Sequence, residues 1–316
     1  MPVSLFRHPE VRLENTVPDT TTKPDARWHI GVIGGSGLYE HGVLEEAQEI
    51  RVASAFGEPS GPITTGYVGG VRFSFIARHG TGHRLAPSEI NYRANIDALK
   101  RCGVTDVLAI SAIGSLAEEM APGDFVVVDQ LIDRTLGRER SFFGEGVVAH
   151  VPLADPVCPR LSQLAGAAAD KAGARVHTGG TYVAIEGPQF STRAESHMYR
   201  QWGGQVIGMT AMPEARLARE AELPYALVGM VTDYDCWRES NADVDIAEIL
   251  KVMHANADKA RALIAGLAGL LPETRPASPI DTVLDTAIVS ARENLRKSGA
   301  ARLDAVAGRL FQTLPD

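Results

Sequence analysis

The chain has 316 residues and a mass of 33.8 kDa, which is enough for one large α/β domain or two smaller ones. Its 45% hydrophobic and 22% charged residues are ordinary for a globular protein, and no stretch has the apolar length of a membrane span or the core of a signal peptide. We therefore expect a cytoplasmic protein with no membrane partner, and the net charge of −8 argues against a general nucleic-acid binder.

The cysteines are three in number and stand far apart, at Cys102, Cys158 and Cys236, with no Cys-x-x-Cys pair among them. This spacing favours neither a disulfide framework nor a zinc site, so we expect no bound metal. Small, buried hydrophobic side chains are the preferred interpretation of all three.

Secondary structure is predicted from apolar runs and their period. Residues 1–28 are mostly polar and are expected to form a flexible N-terminal extension. After them, strand-like runs alternate with helical patterns, which predicts an α/β fold with a largely parallel or mixed central sheet flanked by helices. The predicted strands are 29–33, 71–77, 106–110, 125–128, 182–185, 206–209 and 225–231, and the predicted helices are 88–102, with Ser88 as N-cap and Gly103 as stop, and 243–271.

The C-terminal part is predicted to be a separate appendage. Residues 272–279 are rich in proline and read as a linker, and Ser278 followed by Pro279 is a favourable helix start. Apolar residues then recur on one helix face, which indicates packing on the body or on a neighbouring subunit. The expected organisation is an extension over 1–28, one domain over 29–271, and a linker with a helical extension over 272–316.

Two segments after predicted strands suit an anion. Gly34-Gly35-Ser36-Gly37 offers backbone N–H groups and the Ser36 hydroxyl, although a plain tight turn explains it equally well. It is neither a dinucleotide fingerprint nor a Walker loop. Arg78 and His79 follow another strand, at the edge where open α/β sheets bind ligands, and the alternative for Arg78 is a surface ion pair.

Further strand ends carry hydroxyl and aromatic side chains. Ser111 and Thr210 each follow an apolar run and would add a donor to an anion site, a common and unspecific feature. Phe190 is suited to stack on a flat ring and Ser191 to hydrogen-bond it, with a core aromatic in a loop as the alternative.

Asp233 and Asp235 follow the apolar run that begins at Tyr225. Standing two apart, they would point to the same side of an extended chain. Acidic side chains are rarely buried without a partner, so the pair indicates a ligand pocket, with a solvated loop or a helix cap as the alternative.

The combination suits phosphate attacking a nucleoside. Hydroxyl-bearing strand ends and an Arg-His pair are suited to the anion, while an aromatic ring and two carboxylates are suited to a flat polar ring. No Gly-x-Ser-x-Gly elbow, His-Glu-x-x-His motif or kinase signature is present in the sequence.

From about His29 to Leu271 the chain resembles the purine nucleoside phosphorylase family, with the greatest likeness to members that act on 5′-methylthioadenosine. The resemblance implies a single domain whose central mixed sheet is partly barrel-like. The matching motifs are Gly34-Gly35-Ser36-Gly37, Arg78-His79-Gly80, Pro87 through Asn91-Tyr92-Arg93-Ala94-Asn95, Ser111-Ala112-Ile113-Gly114-Ser115, Pro122-Gly123-Asp124, Asp129-Gln130-Leu131-Ile132-Asp133, Glu186-Gly187-Pro188-Gln189-Phe190-Ser191, Met209-Thr210 and Thr232-Asp233-Tyr234-Asp235-Cys236-Trp237.

The resemblance also implies a site. Met209 would lie against the ribose, Asp233 and Asp235 would read the edge of the base, and His150 would reach a neighbouring subunit's pocket in a homotrimer. Phosphate would be held by Ser36, Arg78, His79, Ser111, the Ala112 backbone and Thr210. The base would be bordered by Phe190 and Ser191, and an apolar 5′ pocket would be formed by Val244, Ile246, Ile249 and Leu250.

The chain departs from the family at three positions, two of them in this site. Ser36 and Ser111 stand where threonine is common, which keeps the hydroxyl. Gly208 stands where asparagine is frequent in the family.

The expected reaction is phosphorolysis of S-methyl-5′-thioadenosine to adenine and 5-methylthioribose 1-phosphate, with phosphate as co-substrate and no cofactor. Asp233 is the expected donor of a proton to purine N7, which requires a raised pKa. The alternatives are a 6-oxopurine or broad-specificity phosphorylase, a nucleoside hydrolase, and a purine-binding module without catalysis.

Overall fold

A mixed β-sheet with helices on both faces forms the centre of the molecule. The computed structural model describes residues 27–35, 43–238, 246–291, 295 and 300–311, without the side chains of 246–251. The strands are β1 His29–Gly34, β2 Glu45–Ile50, β3 Ile63–Val68, β4 Val71–Ala77, β5 Asp106–Ser115, β6 Phe125–Val128, β7 Gln130–Arg134, β8 Val176–Thr178, β9 Thr181–Ile185, β10 Val206–Gly208 and β11 Tyr225–Asp233. The α-helices are α1 Tyr92–Arg101, α2 Pro159–Lys171, α3 Arg193–Gln201, α4 Ala211–Glu220, α5 Ile246–Ala268 and α6 Asp304–Phe311.

The sheet branches at β5. Its strand order is β2-β3-β4-β1-β5-β10-β9-β7, and β11 also pairs with β5 and leads to β6 and β8. β5 lies parallel to β1 over residues 106–109 and to β11 over residues 107–114, and Gly114 and Ser115 at its end also pair antiparallel with β10. The predicted mixed α/β sheet with flanking helices is confirmed, and β5 lies at the junction of its two arms.

The sheet has an apolar core on each face, because side chains alternate along a strand. In β5, Leu108 and Ile110 pack toward α2 and α5, while Val107 and Ala109 pack toward α1 and α4. Both faces of β5 and β11 are therefore covered, and the sequence of such strands is almost continuously apolar.

The seven predicted strands are all present, but four others were missed. Three of these, β2, β7 and β8, carry exposed or half-buried residues throughout, so their sequences lack an apolar run. β3 has Thr64, Thr65 and Gly66 in succession at its centre, so it also lacks an apolar run, and it pairs antiparallel with β4.

The predicted start of α1 was wrong. The helix begins at Tyr92, and its N-cap is Asn91, whose side chain accepts a hydrogen bond from the Ala94 N–H, and not Ser88. Residues before it form a turn in which the Glu89 carboxylate accepts from the Ala86 N–H at 2.8 Å. Gly103, with φ of +80°, follows the helix as expected.

The C-terminal segment packs on the body but does not form the continuous helix that was predicted from Ser278. A 3₁₀ helix covers Pro279–Asp285, after which Ala287 and Val289 pair with the loop at 148–150. Leu284 and Leu303 are buried in the core beside α1 and α4. The limits of the predicted domain and extensions stay predictions, although Trp28 is already buried and donates to the Pro272 carbonyl.

Buried ion pairs fasten this segment. Arg275 donates to Asp106, which is fully buried at the start of β5, and to Asp281 at 2.7 Å. Arg309 binds Glu222 at the end of α4. Within the described residues no helix is long and apolar enough to cross a membrane.

Replacing Arg275 with Met should lower the free energy of unfolding by about 3 kcal/mol, because one partner of a buried charge is lost. The matched control is Arg302→Met, which breaks an exposed pair with Glu145 and should cost less than about 1 kcal/mol. Urea unfolding measures both, and equal effects would contradict an anchoring role for the buried pair.

Candidate active site

Arg78 directly follows β4 and lies beside the end of β1 and the middle of β5. Its guanidinium donates to the Ile33 carbonyl of β1 and to the Ile110 carbonyl of β5, at 3.3 and 3.2 Å. The side chain is 2% exposed, so the surface ion pair considered from the sequence is not what is found. A fixed positive charge is instead buried beneath the predicted anion site.

Glu214, near the start of α4, balances this charge. Its two carboxylate oxygens accept from Arg78 Nε at 2.8 Å and from Nη2 at 3.0 Å, and one of them also accepts from the Tyr225 hydroxyl at 3.0 Å. Bidentate pairing fixes the plane of the guanidinium. The pair thus joins β4, α4 and β11 behind the site.

His79 is neutral in this environment. Burial is the main effect that lowers its pKa to about 4, while the hydrogen bond to the Leu85 carbonyl opposes the shift. Since a carbonyl only accepts, Nδ1 carries the hydrogen in this 2.9 Å contact, and Nε2 is left as an acceptor. A neutral ring whose free nitrogen is an acceptor does not fit the expectation that His79 supplies a donor or a positive charge. The ring stacks on that of His83, with 4.1 Å between the ring centroids.

The hydroxyls of Ser111 and Thr210 meet, with 3.3 Å between their oxygens. Ser111 lies on β5 and Thr210 precedes α4, so residues 99 positions apart are brought to one point. Ala112 follows on β5 and is half-buried. These residues are therefore adjacent, as expected for an anion site, and their roles stay predictions.

Asp233 and Asp235 converge on Gly114. A Cβ atom at Gly114 would lie 3.2 Å from Asp233 Oδ2 and 3.7 Å from Asp235 Cβ, so glycine permits this close approach. The chain between the two aspartates is not fully extended, contrary to the expectation. β11 has a register shift after Val231, and Asp235 has a φ of +45° in the turn that follows. The two carboxylates are nevertheless neighbours.

Burial acts on both carboxylates. It raises the pKa of Asp233, against hydrogen bonds from the Thr232 hydroxyl and the Asp235 N–H at 2.7 and 2.9 Å. It also raises the pKa of Asp235. Asp235 Oδ2 is buried and has no hydrogen-bond partner among the described residues, which is unusual for a native structure.

The loop at 186–191 closes this side of the site. Gly187 packs against the Met209 side chain, and the Ser191 carbonyl accepts from the Cys236 thiol at 3.2 Å. Ser191 Oγ is buried without a partner among the described residues, whereas the Phe190 ring is 53% exposed. The loop thus connects the predicted ribose contact with the two aspartates.

One predicted residue, His150, is not brought to this cluster. His150 is exposed, and its N–H donates to the Ala287 carbonyl of the C-terminal segment. Ser36 and Val244 lie outside the described residues, and the side chains of Ile246, Ile249 and Leu250 are outside them as well, at the start of α5. Their proposed contacts stay predictions.

Arg138 is a functional candidate that the sequence did not reveal. Its buried guanidinium donates to the Met209 and Met212 carbonyls at 2.6 and 2.8 Å and to the Glu186 carbonyl at 2.6 Å. It therefore ties the wall that contains Met209 to the loop at 186–191. In the sequence it is one of three arginines in a polar stretch, Arg134 to Arg140, with nothing to single it out.

In the part of the chain that the structure describes, no group of three or more His, Cys, Asp or Glu side chains has an arrangement that suits a metal ion. All three cysteines are free thiols.

A family model described as the phosphorylase superfamily matches residues 29–268. The chain is 55% identical over 285 residues to an S-methyl-5′-thioadenosine phosphorylase of Cereibacter sphaeroides, covering 90% of this chain and 98% of the relative. An S-methyl-5′-thioadenosine phosphorylase of Hyperthermus butylicus is 51% identical over 257 residues, with 81% and 93% covered.

Solved structures agree. A methylthioadenosine phosphorylase from an antarctic soil metagenomic library superposes with a TM-score of 0.84 at 44% identity, covering 89% of this chain and 99% of that one. The methylthioadenosine phosphorylase of Schistosoma mansoni in complex with adenine gives 0.74 at 38% identity, with 77% and 92% covered.

Replacing Arg138 with Met should loosen both walls of the site, because buried carbonyls lose their donor. Amide hydrogen exchange at 186–191 and 209–212 should become at least about tenfold faster, which corresponds to roughly 1.4 kcal/mol of local stability. Arg175→Met is the control, since that arginine is exposed beside Asp124. Unchanged exchange in both segments would show that Arg138 does not hold them.

Proposed function

The chain belongs to the phosphorylase superfamily, and we propose that it cleaves S-methyl-5′-thioadenosine with inorganic phosphate to adenine and 5-methylthioribose 1-phosphate. One observation carries the proposal. Ser111, beside Thr210, and Gly114, beside the two aspartates, lie three residues apart on β5. An extended strand covers about 10 Å over that distance, which suits a nucleoside with phosphate at one end and its purine edge at the other.

The phosphate half uses hydroxyl donors above a buried cation. Ser111, Thr210, the Ala112 N–H and Ser36 hold the anion, and Arg78 stabilises its charge. Neutral His79 accepts a hydrogen from the P–OH of monohydrogen phosphate. Held in this way, a phosphate oxygen attacks C1′ as positive charge develops there.

The purine half supplies a proton. As the C1′–N9 bond breaks, its electron pair passes to the base, and Asp233 donates its carboxylic hydrogen to N7. A raised pKa keeps this hydrogen on Asp233 at a higher pH than an ordinary aspartic acid retains it. Solvent then reprotonates the carboxylate.

Base choice depends on Asp235. As a carboxylate, it accepts a hydrogen bond from a 6-amino group. A 6-oxo group would leave two buried acceptors facing each other, which costs about 1–3 kcal/mol and corresponds to a preference of roughly ten- to hundredfold for 6-aminopurines. A second candidate follows from its raised pKa, because a protonated Asp235 would donate to a 6-oxo group instead. That arrangement would serve a 6-oxopurine or broad-specificity phosphorylase.

The surroundings of the site complete the proposal. Met209 lies against the ribose, Phe190 and Ser191 border the base, and Ile246 and Leu250 contact the methylthio group. No cofactor takes part. Free thiols fit a reducing cytoplasm, and exposed apolar side chains, Leu136, Val148 and Val289 among them, fit a homotrimer in which His150 reaches a neighbouring pocket.

The test is adenine release from S-methyl-5′-thioadenosine with and without phosphate, beside adenosine and inosine. We expect strict dependence on phosphate and the highest kcat/KM for the methylthio nucleoside. Release that continues without phosphate would indicate a hydrolase, and a preference for inosine would favour the second candidate.

Replacing Asp233 with Asn should lower kcat for S-methyl-5′-thioadenosine by about 10²–10⁴-fold, because the acidic proton is lost. The wild-type kcat should be at its maximum at pH values below the raised pKa of Asp233 and should fall as the pH rises through that pKa. The variant should not show this decline. Asp258→Asn, which removes an exposed carboxylate on α5, is the control. A variant that keeps the wild-type pH profile would exclude Asp233 as the acid.

A further inference from the structure

Gly208, the last residue of β10, has no room for a side chain. A Cβ atom there would lie 2.1 Å from the Tyr182 hydroxyl oxygen and 2.7 Å from the ring carbon that carries it. Real Cβ contacts essentially never fall below 3.0 Å. The tyrosine ring therefore occupies the space in which the asparagine that is frequent in the family would begin.

The sheet register explains how Tyr182 reaches this place. Tyr182 on β9 is paired with Val206 on β10, so its side chain shares a sheet face with Val206 and Gly208. A long ring reaches such diagonal neighbours across parallel strands. Tyr182 is fully buried, and burial raises the pKa of its phenol, which stays protonated.

The Tyr182 hydroxyl has a partner in the phosphate half of the site. It accepts a hydrogen bond from the Thr210 N–H at 3.3 Å. Thr210 is the N-cap residue of α4, yet its side chain makes no capping hydrogen bond. A threonine in this position usually caps its own helix. Here its hydroxyl lies beside that of Ser111 instead.

We infer that Tyr182 is a positioning residue for phosphate, and that Gly208 provides the space it requires. By holding the Thr210 backbone, Tyr182 directs the Thr210 hydroxyl toward Ser111 and the anion. The two positions act as a unit, because a tyrosine at 182 and any side chain at 208 exclude each other. The inference rests on the proposed function, since it assigns Thr210 to phosphate.

The first test is Tyr182→Phe, which removes the acceptor and keeps the ring. The KM for phosphate should rise about three- to tenfold, as expected for one hydrogen bond, while the KM for the nucleoside changes less than about twofold. Tyr67→Phe, at a tyrosine that is 40% exposed on β3, is the control. An unchanged phosphate KM in Tyr182→Phe, or an equal rise in both KM values, would overturn the inference.

The second test uses the steric exclusion between Tyr182 and a side chain at position 208. Gly208→Ala should lower kcat/KM for phosphate by about a hundredfold, more than loss of the hydroxyl alone, because its Cβ displaces the whole tyrosine ring and with it the Thr210 backbone. Adding Tyr182→Leu should restore the double variant to the level of Tyr182→Leu alone. A double variant no better than Gly208→Ala would refute the coupling, and circular dichroism of each variant identifies any that fails to fold.

A binding measurement separates this inference from the proposed function. Phosphate alone should raise the unfolding temperature of the wild type more than that of Tyr182→Phe, whatever nucleoside the enzyme accepts. If no nucleoside is cleaved but this difference remains, only the proposed reaction fails. Equal shifts in the two proteins would count against the role of Tyr182.

Discussion

The buried ion pair between Arg78 and Glu214 is the interaction on which the site depends. It joins the end of β4 to the start of α4, and Tyr225 extends the link to β11. A guanidinium at 2% exposure is tolerable only because a carboxylate and backbone carbonyls surround it. Once formed, this arrangement leaves little freedom to the strand ends, and the hydroxyls of Ser111 and Thr210 are placed relative to a fixed charge.

Two further polar contacts extend this order outward. Arg138 connects the carbonyls behind Met209 to the loop at 186–191, and Tyr182 accepts from the Thr210 N–H. Each adds hydrogen bonds made by a buried side chain. The surface open to a substrate is therefore made of residues that are held from behind, which is what preorganisation for a charged transition state requires.

The sequence predicted the parts of the fold that have a local signal. Buried strands such as β5 and β11 are almost continuously apolar, and the motifs that follow their apolar runs pointed to Ser111 and Asp233. β2 and β7 were missed because exposed strands lack that signal. The start of α1 was misplaced because Ser88 is a favourable cap residue, whereas the side chain that caps the helix in the structure is that of Asn91. Glu214, Arg138 and Tyr182 could not have been found this way, because their partners lie 28 to 136 residues away in the sequence. The prediction of a continuous C-terminal helix was wrong, because the pairing of residues 287–289 with the loop at 148–150 outweighed the local preference for helix.

The branching of the sheet at β5 has a consequence for how the chain reaches its native state. Three neighbours of this strand come from distant parts of the polypeptide: β1 precedes it by some 75 residues, and β10 and β11 follow about a hundred later. Such long-range topology slows folding. During synthesis, β5 remains an apolar strand with an unpaired edge until residue 233 has left the ribosome, and a nascent or truncated chain exposes a surface prone to aggregation.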